Sequence, residues 1–193
     1  MPSIALPREP TDGRVRLRRL EPDDIHPYVA AFVDDPELAR LLGIESDPDE
    51  AVMRGRLERM DAAFESGHFV EVAIADGVSG EFLGSLTLHE LDWKNRRGEV
   101  GFWIVPGARR HGVCESAVRL ALRWMFDDLG LERAELTTTT DNAAVAALAR
   151  KLGFACEGTM RGRNLERGRR VDIVQFGLLR DDWAALSRAA AAS

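Results

Sequence analysis

The 193-residue sequence predicts one mixed α/β domain, built on a mostly antiparallel twisted sheet of about seven strands with helices on both faces. Three observations lead there. Seven short runs are alternating or continuously apolar, as strands are. Between them lie segments whose apolar residues recur at helical spacing. The order of the two types places a strand, crossover helix and strand unit between two meanders, which makes the sheet mixed. A hydrophobic content of 45% is enough for a substantial core in one domain.

Residues 1–13 hold three prolines and a glycine and read as an irregular arm ahead of the domain proper, 14–183. Val15 to Arg18 alternates and forms the first strand. Pro22-Asp23-Asp24 starts a short helix, Ile25 to Val33, which stops before Asp35-Pro36. Asp47-Pro48-Asp49-Glu50 signals a second helix, with Val52, Met53, Leu57, Met60 and Phe64 on one side. Val70 to Ala75 and Phe82 to Leu88 flank Asp76-Gly77 and Ser79-Gly80 as a hairpin, and Gly98 to Val105 extends the meander. Val118, Ala121, Leu122, Met125 and Leu129 mark one face of a long helix that Gly130 closes. Ala134 to Thr140 is a strand, Ala143 to Leu152 a helix capped by Gly153, and Ala155 to Met160 and Arg170 to Leu179 two last strands. Residues 184–193 read as a C-terminal tail.

With 32 acidic and 26 basic residues, a general nucleic-acid or anionic-membrane role is unattractive. Met1 to Pro10 lacks the basic start and apolar stretch of a signal peptide, so the expected location is cytoplasmic. Cys114 and Cys156 are too few for a disulfide framework and have no zinc-finger spacing, and no metal is expected.

Arg109-Arg110-His111-Gly112-Val113-Cys114-Glu115 lies between a strand and a helix. Such a loop presents unpaired N–H groups and the positive end of the helix dipole, which suits a pyrophosphate, although an ordinary loop with exposed arginines fits equally well. A dinucleotide fold is excluded because Gly112 lacks the two partner glycines, and a P-loop because neither lysine ends a Gly-Lys-Ser/Thr sequence.

Arg109-x-x-Gly112-x-Cys114 resembles the R/Q-x-x-G-x-G/A acetyl-CoA loop of the Gcn5-related N-acetyltransferases (GNAT), with Cys114 a departure at the last position. Gly98-Glu99-Val100-Gly101-Phe102-Trp103-Ile104 is similar to the fourth strand of their ribosomal-protein-alanine (RimJ/RimL-like) subgroup. Asp141-Asn142, followed by Lys151-Leu152-Gly153-Phe154, is similar to its closing motif. The resemblance implies the GNAT fold, with acetyl-CoA as co-substrate, an amine as acceptor and a homodimer as a compatible state. It also implies a fourth strand splayed from the fifth, with backbone groups around Trp103, Ile104 and Val105 meeting the pantetheine arm. Arg109, Arg110, His111, Gly112, Val113, Cys114, Glu115, Asn142 and Lys151 complete the implied cofactor set. For its side chain, Trp103 also fits plain core packing.

Amine attack needs a neutral nitrogen, and Glu99 is the candidate base, with a salt-bridged surface glutamate as the bland alternative. Glu90 and Asp92 are fallbacks. Asn142 is a candidate catalytic or cofactor contact and equally a helix cap. Many relatives carry a serine three positions after this asparagine or a tyrosine seven after it as a proton donor; here those positions are Val145 and Ala149. That departure keeps open an acyl-CoA-binding sensor or interaction module; for the acceptor, a protein N-terminal α-amine by family analogy and a small-molecule amine, such as an amine antibiotic, both stay open.

Overall fold

The computed structural model describes residues 4–7, 10–42 and 48–191; Asp47, the first residue of the second capping signal, lies outside them. Seven strands, β1 (Val15–Arg18), β2 (Val70–Asp76), β3 (Phe82–Asp92), β4 (Arg97–Ile104), β5 (Arg133–Thr139), β6 (Ala155–Glu166) and β7 (Arg169–Leu179), form one sheet in the order β1-β2-β3-β4-β5-β7-β6. The β4–β5 pair is parallel and the other pairs are antiparallel. Around the sheet lie α1 (Ile25–Asp34), α2 (Pro36–Leu41), α3 (Glu50–Glu58), α4 (Met60–Ser66), α5 (Val113–Arg123), α6 (Ala143–Lys151) and α7 (Arg180–Ala191).

Register sorts the side chains into two unlike faces. On one, Val72, Leu86 and Phe102 form a row and Val70, Leu88 and Val100 the next. α5 covers this face with buried Ala117, Val118, Ala121 and Leu122. On the other face, Glu71, Thr87 and Gly101 share a row, and His89 and Glu99 share the next. α1 packs here through an aromatic cluster in which Trp103 meets Tyr28 edge-on at 4.8 Å and Phe32 at 5.4 Å between ring centroids. One face is therefore a core wall, and the other is polar just beyond the aromatic cluster.

β3 and β6 run on past their expected ends, Leu88 and Met160, to Asp92 and Glu166, and the helices depart from expectation in four places, each with a local cause. Asp35-Pro36 does stop α1, but Asp35 also accepts the Glu37 N–H at 3.1 Å and caps α2, with Pro36 as its first residue. The second predicted helix breaks at Arg59 into α3 and α4. The long helix gives way after Arg123 to a π turn, Trp124–Asp128, closed by Leu129 N–H to the Trp124 carbonyl at 2.9 Å. That turn lets the consecutive residues Trp124, Met125 and Phe126 all be buried. Residues 184–191, read as tail, continue α7, which is anchored by buried Trp183 stacked on Phe126 at 6.2 Å. In the arm, Ile4 is buried and the Trp124 indole donates to the Ala5 carbonyl at 3.0 Å.

Glu71 is a carboxylate only 1% exposed. Its Oε1 accepts the Tyr28 hydroxyl at 3.1 Å and the Ser85 hydroxyl at 2.6 Å; Oε2, which makes no hydrogen bond, lies 2.8 Å from Arg56 Nη2. Burial, and then the adjacent Glu71 charge, raise the Tyr28 phenol above its ordinary pKa, so it remains a donor at neutral pH. Tyr28→Phe removes a hydrogen bond to a buried charge. The expected loss is about 1.5 to 3 kcal/mol of stability, read as a lower urea midpoint at unchanged slope.

Candidate active site

β4 and β5 are paired for three residues only, Arg97↔Arg133, Gly98↔Ala134 and Glu99↔Glu135. Beyond that point β4 continues to Ile104 and β5 to Thr139 without further pairing, so the strands part and leave backbone groups facing the gap. Val105 N–H bonds the Leu83 carbonyl at 2.9 Å, and a Cβ built on Gly84 would collide with the Trp103 carbonyl, so both groups point toward β3. Alternation along the strand turns the N–H groups of Phe102 and Ile104 toward the gap. Of the three residues in the implied pantetheine set, Ile104 turns its N–H toward the gap, as Phe102 also does, whereas Trp103 and Val105 do not fit that role, their backbones being committed to β3 and the Trp103 side chain to the core. The Val105 carbonyl is also taken, by Ala108 N–H at 3.0 Å.

Glu99 stands at the last paired position, where the gap opens, and is half-buried. Thr137 Oγ1 donates to its Oε1. Across β3, His89 is its register partner. Gly101 follows on the same face, where a Cβ would lie 2.6 Å from Thr87 Oγ1 and 3.2 Å from His89 Nε2, so glycine keeps these polar groups close to the strand. Of the fallback carboxylates, Asp92 is engaged with Asn95 and Arg97, and interaction with Asn95 holds its pKa below the usual range. Glu90 is exposed, with a left-handed φ of 50°. Neither shares the position of Glu99 at the parting of the strands.

The loop between β4 and α5 ends on Gly112, whose φ of 78° lies in the left-handed region. Arg110 is left-handed too, at 65°. The first helical bond is Ser116 N–H to the Gly112 carbonyl at 3.1 Å, which leaves the N–H groups of Val113, Cys114 and Glu115 at the helix start. Side chains in the loop have different tasks. Arg109 Nε donates to the Ile104 carbonyl at 2.9 Å and its Nη1 pairs with Asp35 at 2.6 Å, so its guanidinium braces the loop through these two nitrogens. Arg110 and His111 are exposed, and the His111 carbonyl accepts from Arg14 Nη1 at 3.1 Å. Glu115 is held below the usual carboxylate range by Lys151, which donates to it, and by Arg119. Lys151 is thus neutralised as it links α6 to α5. Burial pushes the Cys114 thiol up to about 12, which makes it a packing residue and not a nucleophile.

Asn142 caps α6, its Oδ1 accepting Val145 N–H at 3.3 Å. Ala149 is fully buried in the core, and Val145 is half-buried. Besides Phe102, three contributors lie outside the expected site residues. Arg14 touches a loop 97 positions away, Asp35 is hidden in a helix boundary, and Thr137 meets Glu99 only because β4 and β5 run parallel. The threonine-rich run in β5 was the one available signal.

Parted parallel strands, backbone donors along one lip and a glycine-capped helix start at its end fit a long acyl thioester carrying a pyrophosphate. A family model for the acetyltransferase (GNAT) domain matches residues 14–155, and the chain belongs to this family of N-acetyltransferases. The family uses acetyl-CoA. The chain is 26% identical over 167 residues to the uncharacterised N-acetyltransferase YoaA of Bacillus subtilis, covering 86% of this chain and 94% of YoaA. It is 31% identical over 104 residues to YdaF of the same organism, provisionally named a ribosomal N-acetyltransferase, over 54% of this chain and 57% of YdaF. A GCN5-related N-acetyltransferase structure from Brucella melitensis superposes with a TM-score of 0.82 at 26% identity, covering 99% of this chain and 86% of that one.

Gly112→Val forces a β-branched residue into the left-handed region and drives its Cβ into the Arg14 guanidinium. CoA affinity, measured by calorimetry on the folded variant, is expected to fall by on the order of tenfold, equivalent to 1.4 kcal/mol.

Proposed function

We propose that the protein transfers the acetyl group of acetyl-CoA to a primary amine by direct attack in a ternary complex, and that the acceptor is a protein N-terminal α-amine. The observation that carries this reading is Glu99, oriented by Thr137 at the point where β4 and β5 part. Acetyl-CoA supplies the activated acyl group. Phe102 and Ile104 N–H groups would hold its pantetheine arm, and the helix start at Val113 to Glu115, with Arg110 beside it, its pyrophosphate.

Glu99 accepts a proton from the incoming ammonium and so makes its nitrogen nucleophilic. Thr137 donates to one carboxylate oxygen, which fixes the side chain and leaves the second oxygen for the amine or a bridging water. Negative charge grows on the thioester oxygen during attack, and a fixed N–H on the open side of β4 stabilises it by about 3 kcal/mol. Neither Val145 nor Ala149 donates a proton, so the leaving sulfur takes its proton from water or from the cationic nitrogen of the tetrahedral intermediate, which loses one as the amide forms. A cytoplasmic setting belongs to the same reading; within the described residues, no helix is long and apolar enough to cross a membrane.

Glu99→Gln keeps the side-chain shape and removes the base. Turnover with a peptide acceptor is expected to drop by about 100-fold to 10,000-fold, most steeply below the amine pKa, while CoA affinity holds. A pH profile identical to the parent's would eliminate Glu99 as the base. Tyrosine at the fully buried Ala149 would overpack the core, so the missing donor is better tested at half-buried Val145. Val145→Ser is expected to raise kcat at unchanged CoA affinity, and an unaltered kcat shows that thiolate protonation does not limit the rate.

A further inference from the structure

The β6–β7 hairpin carries a concentration of positive charge on an acidic chain. Arg161, Arg163, Arg167, Arg169 and Arg170 fall within ten residues, against a formal net charge of −6. All five are exposed. Many arginines elsewhere are matched, among them Arg40 with Glu37, Asp141 and Glu166, Arg97 with Glu135, and Arg133 with Glu135 and Glu157. Those without a carboxylate partner among the described residues, such as Arg59, Arg110 and Arg150, are scattered and not clustered. Among the described residues, none of the five hairpin arginines has a carboxylate partner; Arg170 donates only to the Gly162 carbonyl at 3.2 Å. The nearby carboxylates are already engaged, Glu166 by Arg40, Glu157 by Arg133 and Asp172 by the Gly162 N–H.

The tip adds an independent mark. Glu166 pairs with Arg169, so the turn is the two residues Arg167 and Gly168, both left-handed, with φ of 46° and 77°. Such a turn favours asparagine, aspartate or glycine at its first position. An arginine there holds its charge at the most projecting point of the hairpin despite backbone strain.

We infer that this hairpin binds acidic side chains downstream of the acceptor amine, so that the protein prefers polypeptide acceptors with carboxylates at about the fifth to seventh residues. The inference rests on the proposed N-terminal acceptor and adds its sequence preference. The register supplies the spacing. Thr137, which holds Glu99, pairs with Gln175 on β7, and from Gln175 the strand runs six residues to Arg169 on the same face, about 20 Å in extended chain. A peptide whose amine lies at Glu99 and which follows β7 reaches the arginines at that distance. A polypeptide fits better than a nucleic acid, because no aromatic residue lies between Arg161 and Arg170 to stack on bases, and the net charge repels an extended phosphate backbone.

The test uses the full chain and ten-residue peptides with free N-termini that bear glutamate, glutamine or lysine at positions five to seven. The glutamate peptide is expected to show a KM about fivefold to tenfold below the glutamine peptide at equal kcat, with the lysine peptide worse than both and the differences shrinking at high salt. In the double variant Arg167→Gly, Arg169→Ser the preference disappears, while turnover of a dipeptide amide too short to reach the hairpin is unchanged. Equal KM values for the three peptides in the parent overturn the inference, as does equal performance when the glutamates are moved to positions two to four. A ten-nucleotide single-stranded RNA that competes with the glutamate peptide at lower concentration than unlabelled peptide does also overturns it, in favour of nucleic acid. If no acceptor turns over, the proposed function fails, and anisotropy of the C-terminally labelled glutamate peptide still decides the inference: binding by the parent and not by the double variant upholds it, and no binding by either ends it.

Discussion

The three-residue ladder between β4 and β5 is the constraint on which the site depends. A parallel pair inside an antiparallel sheet must be joined by a crossover, and here α5 makes it. The ladder holds the two strands together at one end, next to the packed wall of Gly98, Leu91, Leu131 and Met125, and lets them go at the other. Had pairing continued, the N–H groups of Phe102 and Ile104 would be spent on β5. Because it stops, they remain donors in an otherwise satisfied sheet, and Glu99 is left at the boundary between paired and unpaired backbone.

The two faces of the sheet divide the labour. The apolar face, packed by α5 and its π turn, keeps the loop ending at Gly112 fixed to the core. The polar face carries Glu71, Thr87, His89, Glu99 and Thr137, yet these groups are not alike. Glu71 is a structural charge, buried under Tyr28 and Arg56, whereas Glu99 has one donor and partial exposure. Carboxylates two strands apart on one surface thus serve stability and chemistry separately, according to how completely each is satisfied.

Much of this was legible in the sequence, and what was not has a common cause. Alternating or continuously apolar runs located every strand, since such patterns are local, and Gly112 and Glu99 stood in local motifs. Element ends were misread where a residue serves two elements: Asp35 ends α1 and caps α2, and Trp124 to Phe126 needed a π turn that no regular period announces. Side-chain partners were not legible where they are remote in sequence, as Asp35 is from Arg109 and Glu115 from Lys151. Val105 and Trp103 sit in the expected strand, but which way a strand's N–H groups point is set by its neighbour, here Leu83 and Gly84.

The brace made by Arg109 has a further consequence. One guanidinium joins the Ile104 carbonyl on the lip of the strand gap to Asp35 at the junction of α1 and α2. α1 packs on the polar face, so the loop ahead of α5 and the helical layer over that face are tied through one residue. One side chain thus fixes two boundaries, the end of β4 and the start of α2, so that neither can shift without loosening the other.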